Sequence, residues 1–523
     1  MCGIAAVYSE ANCADQTSGD PSHIVTAGVP MLSGITHRGP DDSDHWTVGE
    51  RAWLGHTRLS IVDLDGGRQP LGDPDSWALV CNGEIYNHAD IRAALDKVSA
   101  YDFSTSSDSE AALALLSEQG TAGLERLQGM WALCASGPDG RFVAARDRLG
   151  IKPLYWARHE GHVYFASEIR AFPLPAQPAV ESFPPGCYWT PEQGVVRFAD
   201  AVTRDAQARE WSDLAPEIAE KATREVLVDS VKRHLMADVE VGVFLSGGLD
   251  SSLVAAIAAN EYAEQGRRLK TFAVGTAGSP DLLAAREAAA FLGTEHHEAV
   301  FDGRMAIDAV DEVVASVESF DASLIRSAVP NWFLSELASR HVKAVLTGEG
   351  ADELFAGYDY YHQAHAAPEE LERELERTLR SLHGLNLQRC DRVTMAHGLE
   401  ARVPFLDTTV IAHAMSLPAS MKGMEEYAAG PMEKGHLRRA FAGWLPEPLL
   451  WRRKVQFGTG SGAQDLFAPV WEERISAAEF AAGRGAAGGT ELRSKEELAY
   501  YRAFRKALPS VRPERVLTRF ATA

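Results

Sequence analysis

Two textures succeed one another along the 523-residue chain, and together they predict its fold class. Up to about residue 200, short apolar strand patterns separated by Gly, Pro and Asp turns predict an antiparallel, layered α+β unit. Beyond it, strand and helix patterns alternate, which predicts an α/β unit doubly wound on a parallel sheet. Two glycine-containing loops, "LSGGLDSS" and "LTGEGADEL", follow apolar strand patterns in that second unit. Open parallel sheets present their ligand crevice at such strand ends.

In the first unit the predicted strands are "GIAAVY", "AWLGHTRLSIV", "WALVCNGEIY", "MWALCAS", "RFVAARD" and "HVYFAS". One helix interrupts them, "SDSEAALALLSEQG", where Ser107 and Glu110 have capping-box spacing ahead of an apolar run. An exit strand and linker fall near 195–215, so domains of 1–200 and 201–523 are expected. The second unit opens with the helical period of "APEIAEKATREVLVDSVKRHLM". A buried strand "VEVGVFL", a helix "SSLVAAIAANEYAEQG", a strand "KTFAVG", a helix "DLLAAREAAAFLG" and a strand "HVKAVLTG" follow. "PEELERELERTLRSLHG" reads as a charged helix with a solvated face, and "AAGRGAAGG" at 481–489 as a mobile loop.

A net charge of −22 argues against nucleic acid or an anionic membrane surface as partner, because phosphate binding needs a basic face. Cys2, Cys13, Cys81, Cys134, Cys187 and Cys390 form no CxxC pair and no zinc-like spacing, which points to a reducing compartment. No signal-like segment or apolar run of about 18 residues is present, so a cytoplasmic protein is expected.

The start "MCGIAAVY" places a thiol where a structural cysteine has little use. If Met1 is removed, Cys2 carries a nucleophile and a free amine on one residue. A free thiol is only about 3% thiolate at pH 7, and an amine with a pKa near 7.8 can take its proton. Cys2 occurs with "HRGPDD", "GHTRLSIVD", "NGEIYN", "SDSE", "RDRLGIKPLYW" and "FASEIRAF". This set resembles the class II, N-terminal-nucleophile (Ntn) glutamine amidotransferase domain, in the version found in asparagine synthetases. The resemblance implies that Cys2 attacks the glutamine amide and that the Asn82 side chain and Gly83 N–H hold the oxyanion. It further implies a glutamine pocket of Arg58, Leu59, Ser60, Ile61, Val62, Asn82, Gly83, Glu84 and Asp108. Arg58 suits the α-carboxylate and Asp108 the α-ammonium. Ser106 replaces a glycine common in that loop.

"SGGLDSS" lacks the Gly-Lys-Ser/Thr of a Walker loop. It matches the pyrophosphate loop of enzymes that split ATP between the α and β phosphates. Ser246, Gly247 and Gly248 let backbone N–H groups approach phosphate, and the following helix start adds a favourable dipole. Asp250 cannot face bare phosphate, so its natural role is to hold Mg²⁺. With Asp352 in "LTGEGADELFAGY" as second metal carboxylate, this half again resembles asparagine synthetases, with an ATP-pyrophosphatase-type fold. The resemblance implies an ATP site of Leu245, Ser246, Gly247, Gly248, Asp250, Ser251, Val274, Thr347 and Gly348. It gives catalytic roles to Glu349, Lys454 and Arg326. "RCDRVTMAHGLEARVPFLD" and "MEKGHLRRAF" extend the match.

The expected reaction couples glutamine hydrolysis to amidation of β-aspartyl-AMP, yielding asparagine, glutamate, AMP and pyrophosphate. ATP is a substrate, Mg²⁺ the metal, and the resemblance implies a homodimer. Asn386 stands where many members carry aspartate, and Leu324 stands in a Thr-rich loop. An amidotransferase acting on another small carboxylate is therefore the alternative. A β-lactam-synthetase type and a non-catalytic scaffold are disfavoured by the intact Cys2 set.

Overall fold

The computed structural model describes residues 2–10, 22–99, 101–204, 211, 215–364, 367–427 and 430–520. Cys13 and parts of the expected linker (205–210 and 212–214) lie outside the described residues. The first unit contains two six-stranded antiparallel sheets. One has Cys2–Ser9 between His162–Ala166 and Ala52–Arg58, and the other has Ala78–Ile85 beside Gly129–Ser136. Ile4, Ala6, Tyr8 and Leu54 of the first sheet meet Val80, Ala132 and Cys134 of the second. The alternate residues Ala5 and Val7 pack outward with Ile24 and Met31 of the helix Ser22–Ser33. Both faces of the strand are covered, which is why "GIAAVY" reads as one apolar run rather than an alternation. The helix Ser109–Gln119 covers the second sheet's outer face with Ala111, Leu115 and Leu116.

The second unit is a five-stranded, all-parallel sheet in the order Glu295–Val300, Lys270–Gly275, Val241–Phe244, Ala344–Leu346, Glu400–Arg402. The intervening helices include Leu249–Glu264, Pro280–Leu292 and Ala322–Ser339. The central strands therefore lie between apolar layers, as a parallel sheet requires. Among the described residues no helix is long and apolar enough to cross a membrane. The five described cysteines are free and buried.

Three local expectations are corrected and one is extended. The strand expected over 52–62 ends at Arg58, because the chain turns there to form a loop. The Ser107–Glu110 capping box does not form: the helix begins at Ser109, and Glu110 instead accepts from the N–H groups of Ser104 and Thr105, both at 2.8 Å. The charged helix Pro368–Ser381 has a solvated side, but it also buries Leu371, Leu375 and Leu379 at four-residue spacing. The stretch 481–489 is not a free loop. It contains the end of the helix Ala477–Gly483, and Ala487 is fully buried in the apolar core. The edge strands Glu295–Val300 and Glu400–Arg402 were not foreseen, since their charged sequences carry no apolar run.

Leu54 is fully buried between the antiparallel sheets. Leu54→Ala is expected to cost about 2–5 kcal/mol, read as a lower urea midpoint with unchanged slope.

Candidate active sites

Cys2 lies opposite Arg58 in the antiparallel ladder. Hydroxyls take the next two strand N–H groups: Gly3 donates to Thr57 Oγ1 at 3.1 Å and Ile4 to Ser167 Oγ at 3.0 Å. The Cys2 nitrogen donates to Asn82 Oδ1 at 3.1 Å. Asn82 is fully buried, and its Nδ2 has no partner. A buried donor left unpaired costs about 1–3 kcal/mol, and here it sits on the residue expected to hold the oxyanion. Next to it, Gly83 has φ +146°, and a Cβ there would lie 1.9 Å from the Met130 carbonyl oxygen. Only glycine fits this position. Gln69 fixes Cys81, the residue before Asn82, accepting from its N–H at 2.6 Å and donating to its carbonyl at 3.3 Å. Burial raises the Cys2 thiol pKa; a hydrogen bond from Leu59 opposes this, and Glu400 and Glu84 add to it.

The expected glutamine-pocket residues gather beyond this strand end. Arg58 is buried and donates to the carbonyls of Leu64 at 3.1 Å, Val62 at 3.3 Å and Asp63 at 2.6 Å. It thereby folds the loop that carries Leu59, Ser60, Ile61 and Val62. Ser60 N–H is held by Asp41 at 2.7 Å. Asp108 accepts from Ile85 N–H at 2.6 Å, and burial raises its carboxyl pKa. Glu84 turns the other way: its carboxylate lies 3.4 Å from Arg402 of the second unit.

In the second unit the loops after Val241–Phe244 and Ala344–Leu346 abut. A Cβ on Gly348 would lie 2.9 Å from Asp250 Cβ, so the two loops form one crevice. Ser246 and Ser251 hydroxyls lie 3.0 Å apart, and Gly248 N–H donates to Ser246 Oγ at 3.3 Å, which folds the "SGGLDS" turn on itself. Leu245 and Thr347 are buried at these strand ends, and Val274 is buried near the end of the neighbouring strand Lys270–Gly275. Lys434 Nζ lies 2.6 Å from Asp250 Oδ1 and 2.5 Å from Asp352 Oδ1, and Lys454 pairs with Asp352. Burial would raise the Asp352 pKa, but Lys434 and Lys454 bring it down to about 2. Burial likewise opposes the charge on Lys454, and Asp352 and Asp250 raise its pKa. Two carboxylates converging on one cation are a fitting donor set for Mg²⁺, which usually takes one or two carboxylates plus substrate phosphates. Among the described residues no group of three or more His, Cys, Asp or Glu is placed to hold a metal ion.

Glu349 pairs with Arg389, which also donates to Ser327 Oγ at 2.9 Å. Arg326 pairs with Glu496, its Nε and Nη2 donating at 2.9 and 2.6 Å. Lys434, Arg389, Arg38 and Asp391 escaped sequence reasoning. Lys434 and Arg389 lie inside "MEKGHLRRAF" and "RCDRVTMAHGLEARVPFLD", but nothing local distinguishes a buried basic residue from a solvated one. Lys434 has φ +58°, which turns it back toward the crevice, and only the fold discloses this.

Glu353, beside Asp352, is buried and accepts from Tyr358 OH at 2.9 Å and Asn386 Nδ2 at 3.3 Å. Burial, then Asp352 and Glu349, push its pKa from 4.5 up to about 7. The folded state then keeps a proton that the unfolded state has lost, so stability falls as pH rises from 4.5 to about 7. Glu353→Gln is expected to flatten that slope and raise the melting temperature at neutral pH, while differing little below pH 4.5. Thermal unfolding across that range checks this.

Comparison with known proteins agrees with both halves. A profile described as "Glutamine amidotransferase domain" matches residues 1–183, and one described as "Asparagine synthase" matches 222–369 and 363–517. The chain is 39% identical over 495 residues to asparagine synthetase B (glutamine-hydrolysing) of Escherichia coli (strain K12), covering 91% of this chain and 87% of that one. It is 38% identical over 542 residues to a probable glutamine-hydrolysing asparagine synthetase of Schizosaccharomyces pombe, covering 97% and 94%. It is 39% identical over 479 residues to glutamine-hydrolysing asparagine synthetase 3 of Arabidopsis thaliana, covering 88% and 79%. With both profiles in one chain and these relatives matching most of its length, the protein belongs to the glutamine-hydrolysing asparagine synthetase family.

Proposed function

We propose that the protein makes asparagine from aspartate, glutamine and ATP, releasing glutamate, AMP and pyrophosphate. The observation that carries the reading is the pairing of Cys2 with Asn82, whose Nδ2 is buried and unspent. Once Met1 is excised, the Cys2 nitrogen is an amine beside its own thiol. The sulfur attacks the glutamine amide carbon, Asn82 Nδ2 and Gly83 N–H hold the oxyanion, and the C–N bond breaks as the leaving nitrogen takes a proton. Water then cleaves the thioester to glutamate.

At the other crevice an aspartate side-chain oxygen attacks the α-phosphorus of ATP and pyrophosphate leaves. Ammonia then displaces AMP from the acyl carbon. Lys434 and Lys454 balance charge around Asp250 and Asp352, and Glu349, held by Arg389, faces the forming intermediate. Asp250 and Asp352 would hold Mg²⁺ against the nucleotide phosphates, and when bound it neutralises phosphate charge there. Ammonia must reach the acyl-adenylate unprotonated, so a route through the interior between the two units belongs to this reading. A cytoplasmic homodimer completes it.

Leu324 is fully buried in the apolar core, and Asn386 is hydrogen-bonded to Glu353 and Tyr358. Neither departure argues for another acid. Cys2→Ala is expected to abolish glutamine-dependent asparagine formation and keep ammonia-dependent formation. Unchanged use of glutamine, or ADP among the products, overturns the reading. ATP–pyrophosphate exchange should require aspartate; exchange with another acid and none with aspartate overturns the choice of acceptor. Asn82→Ala is expected to lower glutamine hydrolysis about 10²–10³-fold, measured as glutamate released.

A further inference from the structure

The helix Asn386–Met395 is buried along its whole length and touches both centres. At 100° per residue, Arg389 and Asp391 project from nearly opposite faces. On one face Arg389 holds Glu349, and Asn386, one turn earlier, reaches Glu353 and Tyr358. On the other face Asp391 receives both arms of Arg38, at 2.9 and 3.2 Å. Arg38 is fully buried, and its Nε donates to the backbone carbonyl of Cys2 at 3.1 Å. Its Nη1 also reaches Glu168, at 2.9 Å, and Glu168 in turn meets Arg392 of the same helix at 3.1 Å. Arg392 continues to Glu318 at 2.9 Å. Thus a rigid element sets the place of Glu349 at one site and the main chain of Cys2 at the other.

We propose that the Arg38–Asp391 pair is the positioning contact that couples the two reactions, tying the nucleophile's backbone to the helix that holds Glu349. A shift of Glu349 when the acyl-adenylate forms moves the helix through Arg389, and Asp391 passes the shift to Arg38 and Cys2. Glutamine hydrolysis is thereby kept in step with demand for ammonia. The alternative is a purely structural role for the same buried ion pairs. Coupling through packed and hydrogen-bonded elements needs a physical connection to each site, and this helix makes one at each, through Arg389 to Glu349 and through Asp391 and Arg38 to Cys2.

The inference rests on the proposed reaction, and its test separates the two. For the full-length enzyme with saturating ATP, Mg²⁺, aspartate and glutamine, glutamate and asparagine are counted together. Asp391→Asn is expected to raise the glutamate-to-asparagine ratio at least fivefold, while ammonia-dependent synthesis stays within about threefold of the parent. Removing one charge from a buried pair can unfold a protein, so Asp391→Glu, which keeps the charge and displaces the carboxylate, is measured alongside. It is expected to raise the ratio at least twofold. An unchanged ratio in a folded variant, or a parallel fall in both modes of synthesis, overturns the coupling role while leaving the reaction intact. If the parent itself forms no asparagine from glutamine, both the reaction and the coupling fall.

Discussion

Arg38 has no access to solvent, so its charge must be answered inside the protein. The answer comes from both units: Glu168 of the antiparallel part and Asp391 of the helix Asn386–Met395. Arg170 and Arg392 extend the cluster to Glu318, and His37 adds a contact to Glu168 at 3.1 Å. Burial alone would raise the Glu168 pKa, but Arg392, His37 and Arg170 hold it well below the ordinary carboxylate range. Such a network earns little net stability compared with apolar packing, yet it is costly to break on one side only. The two units are therefore held in one register by charges that each would leave stranded without the other. Glu84 and Arg402 make a second crossing of the same kind, close to Cys2.

The crevice of the second unit uses the opposite tactic. Asp250 and Asp352 are brought together by the carboxyl ends of neighbouring strands, where their mutual repulsion would open the site. Lys434, nearly fully buried, sits between them. Its ammonium occupies a place suited to a cation and keeps the two loops closed. Lys454 is held in the same group by the chain around Glu433, whose carboxylate accepts from the Lys454 N–H at 3.0 Å. Glu433 is in turn bound by Arg438, so the lysine's backbone is set from within the core. Charge complementarity here keeps two buried carboxylates close together.

Much of this was legible before any coordinates. Alternation of strand and helix after residue 200 is a pattern of hydrophobic period, and the parallel sheet follows from it. The loop "SGGLDSS" stands out because glycines, a helix start and a carboxylate occur at fixed spacing. Cys2 is conspicuous by position alone. The strand Glu400–Arg402 was silent for the converse reason: three residues, two of them charged, carry no periodic signal. The box at Ser107 and Glu110 misled because the spacing is right but Glu110 has better partners in the loop at 104–105. The partner of Arg326 was equally silent, since Glu496 lies 170 positions later.

By itself the sequence determined the two fold classes and singled out Cys2, the "SGGLDSS" loop and the carboxylates near it as candidates, because each rests on local spacing or hydrophobic period. The tertiary structure alone decided which charges meet. Arg38 and Asp391 lie 353 positions apart, and Lys434 and Asp250 lie 184 apart. Coulomb energy depends on distance in space and on exclusion of water, and neither quantity is written in the order of residues along a chain.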